Sequence, residues 1–179
     1  GNDYDLDLYL EPVQANCTAG DFFEPNNSPS SAFPVVAGEA SGLSVCPSDD
    51  DYYAVALTAG DELTVDAFFD NTEGDIDLYL YDEDQNLLDS SLTTTDNEDV
   101  SSAVTASATY YARVRLYGDG GQLNGNPYSL GLTVTDGDDG LEPNDSSSAA
   151  LEIPGYHDED LRVRSGDSDW YEVSLATDD

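Results

Sequence analysis

Asp51-Tyr52-Tyr53-Ala54-Val55-Ala56-Leu57 and Asp75-Ile76-Asp77-Leu78-Tyr79-Leu80-Tyr81 decide the fold class. Both runs alternate with a period of two, the period at which a strand sends successive side chains to opposite faces. In the second run Ile76, Leu78 and Leu80 share one face, and the acids and tyrosines share the other. Outward from these runs, Thr58-Ala59-Gly60-Asp61 reads as a tight turn. Glu62 to Phe68 alternates again with Leu63, Val65 and Ala67 on one face, so residues 51–57 and 62–68 read as a hairpin. Asn71 to Gly74 is a further turn, and Asp82 to Asn86 ends the strand before a short return at Leu87-Leu88. Segments 99–105, 109–116 and 128–135 complete a series of short strands, and no stretch carries a helical period. Short alternating strands with turn signals roughly every ten residues predict an all-β protein, an antiparallel β-sandwich. The twelve tyrosines suit half-buried strand positions, and they also suit a binding face.

A pattern that flanks these strands occurs twice. Glu24-Pro25-Asn26-Asn27-Ser28 leads to Asp49-Asp50-Asp51-Tyr52-Tyr53, and Glu142-Pro143-Asn144-Asp145-Ser146 leads to Asp167-Ser168-Asp169-Trp170-Tyr171. Both parts are displaced by 118 residues, from Glu24 to Glu142 and from Asp51 to Asp169. A match at both ends of a gap predicts a tandem repeat. Asn2-Asp3-Tyr4-Asp5-Leu6-Asp7-Leu8-Tyr9-Leu10 has the alternation of Asn126 to Val134. The expected division is therefore a last strand of a preceding repeat at 1–16, a complete sandwich at 17–136, a linker at 137–140, and the start of a following repeat at 141–179. The expectation is a piece of a longer array, to which the absence of Met conforms. The last segment is too short to bury a core by itself.

Charge excludes several classes of partner. There are 39 acidic residues against four arginines and no lysine, a formal net charge of −35. Such a field repels phosphate backbones and anionic lipid, so nucleic acid and membrane surfaces are excluded as partners and cations are favoured. The same charge also suits a surface solvated at high salt. No apolar run approaches the roughly 18 residues that would span a bilayer as a helix. Cys17 and Cys46 are the only cysteines, with no companion set for a zinc site. They form either a disulfide in an exported protein or two free thiols in a reducing compartment. A disulfide closing this loop stabilises by about 3.6 kcal/mol in the chain-entropy model.

These motifs, followed by Gly74-Asp75-Ile76-Asp77-Leu78-Tyr79-Leu80-Tyr81-Asp82, Thr109-Tyr110-Tyr111-Ala112-Arg113-Val114 and Tyr128-Ser129-Leu130, resemble the bacterial pre-peptidase C-terminal domain. The resemblance runs over 17–136, with partial copies on both flanks. It implies a jelly-roll-like sandwich, secreted or at the cell surface, beside peptidase domains or strung in arrays. The family is similar to the collagen-binding domains of bacterial collagenases, which implies calcium. Carried over residue by residue, the ligands are Glu24, Asn26, Asn27, Asp49 and Asp51, and in the following repeat Glu142, Asn144, Asp145, Asp167 and Asp169. Calcium takes six to eight oxygens at about 2.4 Å, and carboxylates, amides and turn carbonyls supply them. Read without that resemblance, the same residues make Asx-turns and caps. Asn27 stands where the following repeat has Asp145, one carboxylate fewer, for which Asp50 is a candidate substitute. Asp75 and Asp77 share a strand face where a second cation has room, and Asp96 to Asp99 reads as a turn.

Catalysis has no motif here. His157 is the only histidine, and no metalloprotease, nucleophile-elbow or phosphate-loop pattern is present. The sequons at Asn16, Asn26 and Asn144 coincide largely with the acidic motifs. Two non-catalytic functions follow. One is a calcium-stiffened structural repeat in an extracellular stalk or fibre, whose partners are neighbouring repeats or copies of itself paired through residues 3–10. The other is a module that binds an extracellular polymer, or assists export, for a secreted peptidase or other hydrolase. An aromatic patch on an open sheet face discriminates in favour of the second.

Overall fold

A computed structural model describes residues 17, 21–120, 125–135, 137, 144–152, 163 and 168–174. The expected strand at 3–10, most of the linker, His157, Glu142 and Asp167 lie outside the described residues. The elements in order are a 3-10 turn (Pro29–Ser31) and strands β1 (Phe33–Val35), β2 (Gly38–Val45), β3 (Asp51–Leu57), β4 (Glu62–Phe69), β5 (Asp75–Tyr81), β6 (Leu87–Ser91), β7 (Glu98–Ala103), β8 (Ala108–Gly118), β9 (Asn126–Thr135), β10 (Leu151–Glu152) and β11 (Tyr171–Glu172).

The all-β expectation holds. One sheet has the order β1-β3-β8-β5-β6 and the other β2-β9-β4-β7. All pairings in both are antiparallel except β1 with β3, which is parallel. The apolar positions of the alternating runs meet between the sheets: Tyr53, Ile76, Leu78, Leu80 and Val114 from one, Leu43, Val45, Leu63, Val65 and Leu130 from the other. Burying side chains of this size contributes about 1.5–3 kcal/mol each against the entropy of ordering the chain.

The hairpin expected from 51–57 and 62–68 does not form. β3 and β4 lie in opposite sheets, joined by a connection in which the Thr58 amide donates to Asp61 Oδ2 and the Asp61 amide to the Thr58 carbonyl. Each strand needs an apolar facing layer, and the sandwich supplies it across the core rather than alongside. Alternation cannot distinguish these two solutions. β1 and β2 escape the periodic reading because β1 contains Pro34 and β2 is broken by a register shift between Ala40 and Leu43, where Gly42 has φ 77°.

Cys17 and Cys46 form a disulfide, with Cα atoms 5.6 Å apart. It ties the segment before the first acidic motif to the end of β2. In the C-terminal segment β10 pairs with β11 in parallel, Leu151 opposite Tyr171. This register is that of Phe33 opposite Tyr53 displaced by 118 residues.

Candidate functional site

Asp51 opens β3 in phase with Tyr53 and Val55, so its side chain enters the core and is 1% exposed. The Tyr128 hydroxyl from β9 donates to Asp51 Oδ2 at 2.5 Å. The Tyr53 and Tyr128 hydroxyls are also 2.5 Å apart. Because the Tyr128 proton is given to Asp51, Tyr53 donates to Tyr128, and the three groups form a directed chain ending on the carboxylate. Asp51 Oδ1 is buried with no hydrogen-bond partner.

The leading segment comes to the same place. The Asn26 carbonyl accepts the Tyr52 amide at 2.8 Å. Its own amide is held by Glu24 Oε2 at 3.0 Å and Asn27 Oδ1 at 3.1 Å. The Asn26 side chain is fully buried beside the Tyr53 hydroxyl, and neither of its polar atoms makes a hydrogen bond of good geometry. Buried polar atoms left in this state cost about 1–3 kcal/mol each.

Charge accumulates around this gap. Burial pushes the Asp51 carboxyl up to about 8; the Tyr128 hydrogen bond opposes the shift, and the neighbouring Asp21, Glu24 and Asp49 add to it. Glu24 is raised by burial and then by Asp49 and Asp21, against the Asn26 amide. Tyr53 and Tyr128 are raised above the usual phenol range by burial. The structure thus brings together Glu24, Asn26, Asp49 and Asp51 of the expected ligands. It adds Asp21, which the motif reading missed and which accepts the Phe23 and Ser44 amides at 2.8 and 2.9 Å. The signal for Asp21 is the repeat distance itself, since Asp139 lies 118 residues on.

The Asn27 side-chain oxygen, like Glu24, accepts the Asn26 amide. One expectation changes. Asp50 cannot substitute for a missing carboxylate, because adjacent strand residues point oppositely: Asp50 turns to the outer face and its Oδ2 accepts Arg113 Nε at 2.9 Å and Nη2 at 2.5 Å. Among the described residues no group of three or more His, Cys, Asp or Glu side chains is gathered closely enough to hold a metal alone. A calcium site here requires amide and carbonyl oxygens as well, the mixture that calcium accepts. The unmet Asp51 Oδ1 and Asn26 Oδ1, beside mutually repelling carboxylates, fit that requirement.

The C-terminal segment repeats the local geometry. The Asn144 carbonyl accepts the Trp170 amide at 3.0 Å, Asn144 is fully buried, and Asp169 Oδ1 is buried without a partner. The Ser31 amide to Ser28 carbonyl bond at 2.9 Å recurs from Ala149 to Ser146 at 2.9 Å. Asp145 is among the described residues; Glu142 and Asp167 are not. Burial of Asn26 and Asn144 closes both to glycosylation.

The outer face of the five-stranded sheet has a different character. Tyr52, Arg113 and Tyr79 form one row across β3, β8 and β5. The Arg113 guanidinium lies 5.8 Å from the Tyr52 ring centroid and 5.1 Å from that of Tyr79. Tyr79 and Tyr81 are nearly parallel, 6.3 Å apart. Arg115 stands 5.9 Å from the exposed Tyr117 ring, and a groove of about 530 Å³ opens there between Ser48, Asp50 and Asp119. Asp77 lies opposite Arg115 and accepts the Tyr79 hydroxyl at 2.9 Å, so it is already provided with partners.

Comparison with known proteins gives a match of residues 49–116 to the bacterial pre-peptidase C-terminal domain, over β3 to most of β8. No curated protein matches. Among solved structures, the chain is similar to the pre-peptidase C-terminal domain of a Bacillus anthracis collagenase, with 19% identity, 60% of this chain and 100% of that chain covered, and a TM-score of 0.45. It is also similar to PliG of Aeromonas hydrophila, a periplasmic inhibitor of g-type lysozyme, with 16% identity, 57% and 94% covered, and a TM-score of 0.43.

Proposed function

We propose that the chain is a non-catalytic module of an exported protein, a binding or export-assisting domain that accompanies a secreted peptidase or other hydrolase. The observation that carries this reading is the family match over residues 49–116, whose strands carry Asp51 and Tyr53 of the buried centre and the tyrosines and arginines of the outer face. The Cys17–Cys46 disulfide accords with an oxidising destination. Fused to a secreted peptidase, the chain is expected to raise turnover of a polymeric substrate and leave that of a soluble chromogenic peptide unchanged. Equal turnover of the polymer with and without the chain would sink the reading.

We further propose that calcium occupies the Asp51 centre. Asp51 and the Asn26 amide oxygen would hold it from inside, and Glu24, Asp49 and Asp21 would supply negative charge at its mouth. Bound there, the ion supplies positive charge to a desolvated carboxylate and joins the leading segment to β3. Removing calcium with chelator is expected to lower the melting temperature of the disulfide-bonded chain, and an unchanged value would refute the site.

A second reading, a bead in an extracellular array of repeats, is favoured by one specific observation. The hydrogen bonds and parallel register of residues 26–53 recur 118 residues later. Neighbouring repeats, or copies paired through residues 3–10, are then the partners. Electron microscopy of native material decides it, with dispersed single particles counting against an array.

A further inference from the structure

Both arginines that precede Asp160, Arg113 and Arg115, lie on one face of one sheet, in a chain of net charge −35. Arg113 is bound by Asp50, and Arg115 lies opposite Asp77 in the strand register. The face therefore carries polar donors and acceptors of both charges, set among rings. Tyr52, Tyr79, Tyr81 and Tyr111 are half-buried, and Tyr117 is 67% exposed. Tyr52 and Tyr79 are two strands apart, about 10 Å at the usual spacing, with the Arg113 guanidinium between them. The Arg113 guanidinium makes cation–π contacts with both rings, which favours holding them side by side.

Three properties of that platform select its occupant. A polyanion is repelled by the rest of the molecule, and a polycation would be held by acids everywhere without selecting this face. An extended peptide adds to a sheet through main-chain hydrogen bonds at a free edge, whereas this is the flat middle of a sheet whose main-chain groups are already paired. What remains is an uncharged chain that is apolar on its flat sides and rich in hydroxyls at its rim, able to stack on rings and exchange hydrogen bonds with Asp and Arg heads. The groove between Ser48, Asp50, Arg115 and Asp119 continues the platform and has room for a further unit of such a chain.

We propose that the outer face of β3, β8 and β5 binds a neutral polysaccharide, with Tyr52, Tyr79, Tyr81 and Tyr117 as the stacking platform and Arg113, Arg115 and Asp50 as hydroxyl partners. This rests on the binding-module reading above and names its ligand class.

The test is affinity electrophoresis of the full chain through gels containing hydroxyethyl cellulose, xylan, glycol chitin or amylopectin, with polygalacturonate and gelatin in parallel. At least one neutral polysaccharide is expected to retard the chain. Retardation should weaken at least tenfold in Tyr79→Ala, and also in Tyr117→Ala, whose exposed side chain can be removed with little change in melting temperature. Polygalacturonate should not retard it. The proposal is overturned when no neutral polysaccharide retards the chain, or when both variants bind as the parent does. Retardation by gelatin alone also overturns it, while leaving the binding-module reading intact. Retardation by no polymer at all counts against both.

Discussion

The Tyr128 hydroxyl on β9 donates a hydrogen bond to the buried Asp51 carboxyl on β3, across the core from one sheet to the other. The bond links residues 77 positions apart, and it is the one hydrogen bond that Asp51 accepts among the described residues. The carboxyl is therefore half-satisfied, with Oδ1 buried and without a hydrogen-bond partner.

Tyr128→Phe removes the one donor that Asp51 has among the described residues and also the acceptor for Tyr53. Leaving these groups buried costs about 1–3 kcal/mol for the carboxyl. The expected result is a lower denaturant midpoint with unchanged m-value, measured by urea unfolding followed with circular dichroism. An unaltered midpoint would show that the Asp51 carboxyl is satisfied by something else.

The Asp51 carboxyl also sets a pH dependence. Its folded value, about 8, lies above the ordinary 3.8, so the folded state holds a proton that the unfolded state has released. The contribution of this group to stability is full below the ordinary value and is lost as pH rises toward 8, at up to about 1.4 kcal/mol per pH unit. Asp70 and Asp82, held low by hydrogen bonds from Thr72 and Asn86, act with the opposite sign below their ordinary values. In chelator, melting temperature should fall between pH 5 and pH 8, and Asp51→Asn should flatten that fall. Parallel profiles for the two proteins would contradict the assignment.

Reduction of the disulfide, or Cys17→Ser with Cys46→Ser, is expected to lower stability by about 3–4 kcal/mol for a link spanning 29 residues. The β-sheet spectrum should persist at low temperature, because the apolar layer between the sheets does not include the Cys17 side chain. Loss of that spectrum on reduction would make the disulfide a condition of folding rather than an addition to it.

Salt should stabilise the chain. At a formal charge of −35, self-repulsion opposes compaction, and about 1 M NaCl shortens the screening length to about 3 Å. With chelator present throughout, differential scanning calorimetry is expected to show a melting temperature that rises steadily with NaCl. A flat or falling trend would mean that local pairs such as Asp50–Arg113 outweigh the net field.

The strands were legible because alternation is a local property, and Ile76, Leu78 and Leu80 take the inward positions that their spacing predicts. Their partners were not legible. Residues 51–57 and 62–68 look like two arms of a hairpin, yet they face each other across the core, because an apolar stripe is covered equally well from either direction. β1 and β2 were missed where proline, glycine and a register shift erase the period. In the candidate site Glu24, Asn26, Asp49 and Asp51 were named by the family resemblance, and the structure places them near one another. Asp50 was misjudged because its role depends on which side of one strand it leaves, and Asp21 because it stands outside the motif.

The sequence by itself determined the all-β class, the 118-residue recurrence, the extreme charge and the acids to watch, since each is written in order and spacing along the chain. Only the tertiary structure decided which acid is taken out of water. Desolvation is a sum over neighbours, and for Asp51 those neighbours come from β9, from β3 and from the segment around Asn26. The same holds for the outer face: Tyr52, Arg113 and Tyr79 are scattered in order along the chain, and strand register alone sets them side by side.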